Sequence, residues 1–121
     1  MIEMTDSAQW EEFLESETPI VLQAGASWCG PCNMLKPMVT NVAKKFEGSV
    51  QYVYMDIDKF QDIAQMLEIQ HIPKTFMIYK GDLVDQFGGV PQDPEKIDKF
   101  FEKAKGFGEG SDEGAEAVEE K

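Results

Sequence analysis

Residues 19–34 read PIVLQAGASWCGPCNM, and this stretch decides the fold. Its first part, 19–26, is a short and mostly apolar run, the composition of a strand covered on both faces. Trp28, Cys29, Gly30, Pro31 and Cys32 follow. Beyond them Met34, Leu35, Met38, Val39, Val42 and Phe46 recur at helical spacing. The two cysteines therefore sit where a strand hands over to a long helix. Two cysteines at this separation are a redox couple, half of a metal site, or a structural staple.

A zinc site takes about four ligands. The chain offers Cys29, Cys32 and a single histidine, His71, and no carboxylates at ligand-like spacing, so no metal is expected in the monomer. A bridge across so short a loop removes little chain entropy, about 2 kcal/mol, and intracellular thiols are normally kept reduced. The redox reading has positive support. A sulfur at the start of a helix meets free N–H groups and the positive end of the dipole, which stabilise a thiolate. Cys32, three residues on, shares the helical face of Cys29 at a separation that suits a disulfide. Pro31 is tolerated in a first helical turn, and Gly30 lets another chain approach the sulfur. One thiolate attacks and the second releases, the two steps of thiol–disulfide exchange.

The remaining sequence alternates strand and helix signals around this centre. Residues 5–16 predict a helix capped by Asp6 or Ser7, with Trp10, Phe13 and Leu14 as its apolar stripe. A β-branched and aromatic run over 49–58 predicts a strand, and 59–69 a short helix with Phe60, Ile63, Ala64 and Leu67 on one side. Residues 74–89 read as a hairpin turning at Lys80–Gly81–Asp82. Residues 92–105 read as a closing helix, capped by Asp93, with Pro94 first and Ile97, Phe100 and Phe101 facing inward. With a first strand at the N-terminus, the order gives an α/β domain over 1–105, a mixed central sheet with helices on both faces. The methionines fall at core-like spacings and read as core filler. Pro37 is expected to kink its helix.

The chain has 121 residues and a net charge of −12, from 23 acids against 11 lysines and no arginine. Nucleic acid and anionic membranes are poor partners for such a surface. Residues 106–121 hold four glycines, six acids and one lysine. They have too little apolar surface to offset the entropy of ordering them, so an acidic, disordered tail is expected. The N-terminus lacks the pattern of a signal or transit peptide. A cytoplasmic protein is expected, or an organellar one if a transit peptide was removed.

The chain resembles the thioredoxin family over roughly residues 1–105. WCGPC at 28–32 is that family's active-site string, and HIPKTFMIYKGD at 71–82 looks like its cis-proline loop and hairpin. FGGV at 87–90 matches its glycine loop, Pro37 its helix proline and Gly81 its hairpin glycine. The resemblance implies a thioredoxin fold and a protein-disulfide reductase without bound cofactor. Cys29 would be the nucleophile and Cys32 the resolving thiol. Ile72 and a cis Pro73 would hold the substrate backbone in a β-augmentation mode. Trp28, Gly30, Pro31, Gly89 and Val90 would line the docking surface. Electrons would come from an NADPH-dependent thioredoxin reductase, and the clients would be disulfide-containing proteins. A second reading is a thioredoxin-like subunit or adaptor of a large assembly, such as an axonemal dynein light chain, placed in the axoneme or cilium.

The departures from the family concern the groups behind the cysteines. Gln23 stands where the family usually has a buried aspartate, and Tyr54 where its partner lysine falls. Both members of an ion pair are replaced together, which avoids leaving one buried charge unpaired. Gln23 cannot carry a proton, so the resolving step by Cys32 is expected to be slow and the Cys29 thiolate favoured. Gly25 replaces a bulky aromatic, Lys74 a threonine after the cis-proline, and Asn33 a basic residue after Cys32. Lys74 and His71 read as solvated surface side chains.

Overall fold

Why the 19–26 run is apolar throughout is visible in the computed structural model, which describes residues 1–109. The run forms β2, Ile20–Gly25, the central strand of a five-stranded sheet, and every residue of it is buried. The elements follow in the order β1 (Ile2–Glu3), α1 (Ala8–Glu15), β2, α2 (Gly30–Lys44), β3 (Gln51–Asp56), α3 (Gln61–Met66), β4 (Lys74–Tyr79), β5 (Asp82–Gly88) and α4 (Glu95–Gly108). The strand order is β1-β3-β2-β4-β5. β1, β3 and β2 run parallel, and β4 and β5 are antiparallel to their neighbours. This is the mixed sheet that the order of sequence signals predicts.

Alternation along each strand divides the core in two. Ile20, Leu22, Ala24, Val53, Met55, Phe76 and Ile78 pack under α1 and α3, against Trp10, Phe13 and Ile63. Val21, Tyr52, Met77 and Phe87 pack under α2 and α4, against Leu35, Val39, Val42, Ile97, Phe100 and Phe101. Helices on both faces leave no side of the central strand for water, hence its unbroken apolar run.

Local signals behave as the side-chain chemistry requires. Asp6 caps α1, its carboxylate accepting from the Ala8 N–H at 2.8 Å. Asp93 accepts from the Glu95 N–H at 3.0 Å, and α4 begins one residue after Pro94 rather than at it. The hairpin turns on Lys80 and Gly81, both at positive φ, 51° and 88°. Pro37 lies inside α2 without ending it.

Two expectations need correction. Met4, Met55 and Met77 fill the core, but Met1, Met34 and Met66 are exposed, Met34 by 61%. Position 34 falls just outside the buried stripe set by Leu35, Val39 and Val42. The closing helix also outruns the boundary at 105, because α4 continues to Gly108. Phe107 packs its ring on Tyr79 with centroids 5.6 Å apart. Gly108 lies so close to Pro19 that a side-chain carbon there would stand 2.8 Å from the proline ring. What looks like a glycine-rich tail start is a tight helix end. The rest of the expected acidic tail, 110–121, lies outside the described residues.

Candidate functional site

The parallel strands β2 and β3 both end at the same edge, where open α/β sheets place their sites. After Gly25 the chain turns through 26–28, and Cys29 becomes the N-cap of α2. Its extended backbone, φ −94° and ψ 109°, aims the sulfur back at the first helical turn. The sulfur accepts from the Cys32 N–H at 3.2 Å. Cys29 and Cys32 are joined as a disulfide, with Cα atoms 5.2 Å apart. Gly30 and Pro31 occupy the first turn, where a proline needs no N–H partner.

The pair is asymmetric. Cys29 keeps 6% of its surface, while Cys32 keeps none. A side-chain carbon at Gly30 would meet nothing within 4 Å, so the approach over Cys29 is open. Trp28 is 67% exposed beside it, and its indole N–H donates to an Asp58 carboxylate oxygen at 2.7 Å. Asp58 is held in turn by the bend after β3, where its N–H donates to Asp56 Oδ1 at 2.8 Å. Sequence reasoning assigns Asp58 no role. Its signal is its place, two residues past the end of a strand that neighbours the motif.

The Ile72–Pro73 peptide bond is cis. Ile72 packs against the small cluster of Ala26, Cys29 and Cys32, which brings this loop to the disulfide. The Gly89 N–H donates to the Pro73 carbonyl at 2.9 Å, so the glycine loop is tied to the proline loop. Val90 is half-buried against the α2/α4 core, and Gly89, at φ 73°, is exposed. Trp28, Gly30, Pro31, Ile72, Pro73, Gly89 and Val90 thus occupy the loops and helix end around the disulfide. Asn33 bonds the Ser27 carbonyl at 3.1 Å and closes the same turn. His71 is exposed and Lys74 half-buried at the start of β4. Among the described residues no three His, Cys, Asp or Glu side chains cluster to hold a metal ion.

Behind the disulfide the sheet is polar. Strand register places Tyr54, Gln23 and Thr75 in one row across β3, β2 and β4. Gln23 is fully buried. Its Nε2 donates to the Cys32 carbonyl at 3.3 Å, and its Oε1 accepts from the Tyr52 hydroxyl at 2.7 Å. The amide cannot face the other way, because its oxygen would then meet the carbonyl oxygen of Cys32. Burial, foremost, and the neighbouring Tyr54 raise the pKa of Tyr52, against an opposing contribution from the Thr40 hydroxyl. Tyr54 is raised too, by burial first and then by Asp56 and Glu3. Both phenols stay protonated through the neutral range.

Gly25 has a physical explanation. A side-chain carbon there would stand 2.5 Å from the Tyr54 hydroxyl and 3.1 Å from both Cβ and Sγ of Cys32. The aromatic bulk expected at position 25 arrives instead from β3, and Tyr54 and Gly25 are two halves of one exchange. Sequence separation hides that pairing, since only the parallel register of β2 and β3 brings them together.

A mixed sheet, a disulfide at a helix start and a cis-proline loop packed on it define a thiol–disulfide class of protein. Comparison with known proteins agrees. The family model described as Thioredoxin matches residues 1–103. "Thioredoxin 1" of Nostoc sp. is 38% identical over 92 residues, 74% of this chain and 85% of that protein. "Thioredoxin, mitochondrial" of Bos taurus is 35% identical over 96 residues, 79% of this chain. The match spans 57% of the length of that mitochondrial relative. The thioredoxin of Malassezia sympodialis, at 22% identity, shares the fold with a TM-score of 0.79 over 87% of this chain and 91% of that one. The chain belongs to the thioredoxin family.

Proposed function

We propose that this chain is a protein thiol–disulfide oxidoreductase of the reductase type, working through the Cys29–Cys32 couple. The observation that carries the reading is the asymmetry of the pair. Cys29 caps a helix under an open approach, and Cys32 is sealed behind it. In the reduced protein the Cys29 thiolate, stabilised by the helix N-terminus, attacks a client disulfide. One client sulfur leaves, and a mixed disulfide forms. Cys32 then attacks the Cys29 sulfur and frees the second client thiol. Two electrons pass from the dithiol to the client.

Ile72 and Pro73 hold the client backbone as an added strand, and Trp28, Gly30, Pro31, Gly89 and Val90 form the surface it crosses. Trp28 is fixed for this role by Asp58. Gln23 and Tyr54 tune the buried thiol. The dithiol itself is the reagent, as in the family at large, with no bound cofactor. An NADPH-dependent thioredoxin reductase would restore it. Relatives include proteins described as mitochondrial and chloroplastic, and any reducing compartment suits the couple.

Insulin reduction coupled to NADPH oxidation by a thioredoxin reductase tests the reading. Sustained turnover is expected, abolished in Cys29→Ser, with Cys32→Ser arrested as a mixed disulfide. Absence of turnover in the unaltered protein overturns it.

A further inference from the structure

The polar side chain of β2 that bonds the resolving cysteine is an amide, not a carboxylate. Gln23, the nearest polar side chain of β2, is neutral, and both ends of its amide are engaged by Cys32 and Tyr52. Yet one polar hydrogen remains beside the sulfur. The Tyr54 hydroxyl and the Cys32 sulfur border the same notch, the space left by the missing side chain of Gly25. Tyr52 donates its hydroxyl hydrogen to Gln23, whereas the Tyr54 hydroxyl has no hydrogen-bond partner among the described residues. Tyr54 as a residue is only 4% exposed, but its hydroxyl is not fully buried and so keeps contact with water. Its ring is held from the α2 side by the Lys36 ammonium, 4.0 Å from the ring centroid.

We propose that Tyr54 supports the resolving step by donating its hydroxyl hydrogen, directly or through one water in the Gly25 notch, to the Cys32 thiolate whenever the disulfide is open. The inference rests on the thiol–disulfide reading above. The Cys32 thiol gives its proton to solvent through a water in the Gly25 notch. The thiolate attacks the Cys29 sulfur, a Cys29–Cys32 bond forms, the Cys29–client bond breaks, and the client sulfur leaves with the electron pair and is protonated by water. In the reverse direction a reductant's thiolate attacks Cys29, and Cys32 leaves as the thiolate that Tyr54 stabilises. Tyr54 ends each cycle unchanged. It is a supporting group for the reacting sulfur, not a base.

Charges around the phenol fit a permanent donor. Glu3 of β1 pairs with Lys36 of α2 at 3.8 Å, Asp56 follows on β3 itself, and Tyr52 lies two residues back on the same strand face. Burial, Asp56 and Glu3 all oppose loss of the phenol proton. Lys36 adds a positive charge over the ring, which also favours a nearby thiolate.

Tyr54→Phe keeps the ring and its lysine and removes only the donor. The test follows the reaction of the reduced protein with an aromatic disulfide reagent across the neutral-to-alkaline range, resolving the first thiol released by Cys29 from the second released by Cys32. The variant is expected to shift the pH midpoint of the second release upward by about one unit. A one-unit shift lowers the thiolate fraction tenfold, but the more basic thiolate is the better nucleophile. The second release at neutral pH should therefore slow roughly threefold, with the first unchanged. In a Cys29→Ser variant that keeps Tyr54, the carbon resonance next to the Tyr54 hydroxyl should titrate with the Cys32 midpoint. Equal midpoints in the two proteins, or a Tyr54 resonance blind to Cys32, overturns the inference alone. No release of aromatic thiol by either protein overturns the thiol–disulfide reading and this inference with it.

Discussion

At the scale of single residues, the polar row behind the disulfide holds one side chain that gains nothing from its place. The Thr75 hydroxyl is buried and has no hydrogen-bond partner among the described residues. It stands opposite Gln23, whose amide is taken up elsewhere. An unpaired buried hydroxyl costs about 1–3 kcal/mol. Valine has the same branching and suits a strand equally. Thr75→Val is therefore expected to stabilise the protein by about 1 kcal/mol, read as a higher urea midpoint at unchanged slope. A lower midpoint would mean that the hydroxyl has a partner in solution, such as a buried water. Nothing in the sequence marks Thr75, because a threonine in a β-branched run is ordinary. The cysteine pair was legible for the opposite reason: only one strand-to-helix junction in the chain carries two sulfurs, and the chain lacks the other ligands of a metal site. Asp58 and Lys36 were not legible in their roles, since each acts on a residue far away in the chain, Trp28 or Tyr54.

Between elements, the Gly25–Tyr54 exchange is the clearest case of a contact that two strands share and neither explains alone. Gly25→Ala puts a carbon against the Tyr54 hydroxyl and the Cys32 side chain. Overpacking of this kind costs about 1–3 kcal/mol. Removing the hydroxyl relieves the closest of these contacts but leaves the one to Cys32. Gly25→Ala should therefore be less costly in a Tyr54→Phe background than in the unaltered protein, with a coupling of about 1 kcal/mol. A double-mutant cycle by urea unfolding measures it, and purely additive costs would show that β3 does not fill the space over Gly25. The same scale shows why element types were readable and ends were not. Helical spacing placed α2, an unbroken apolar run placed β2, and β-branched and turn residues placed β3 and the hairpin, because burial on one face, burial on both and a tight turn each leave a different pattern. The end of α4 escaped, because Gly106 and Gly108 look like breakers until Pro19, just before β2, is brought against Gly108. Met34 was misplaced in the same way: helical spacing gives a stripe but not its exact edge.

For the molecule as a whole, acidity and the two buried phenols combine into a stability profile with a defined alkaline limit. Tyr52 and Tyr54 ionise near pH 10 in the unfolded chain, and both are raised in the folded one, chiefly by burial. Below about pH 10 the phenols are protonated in both states, and their contribution to stability is fully present. Above it the unfolded chain releases protons that the folded chain retains. The unfolded state then binds fewer protons, and stability falls with rising pH, by up to about 1.4 kcal/mol per unit for each phenol. The 11 lysines lose charge in the same range, which takes the net charge further from its neutral-pH value of −12 and adds self-repulsion. Salt separates the two causes, because it screens repulsion between exposed charges but hardly reaches a buried phenol. Urea midpoints at high salt should therefore stay level up to about pH 9 and fall steeply above about pH 10. Tyr52→Phe starts lower, having lost its bond to Gln23, but should fall less steeply, since one of the two retained protons is gone. Parallel curves for the two proteins would show that Tyr52 ionises alike in both states, and would contradict its burial against Gln23 in the folded chain.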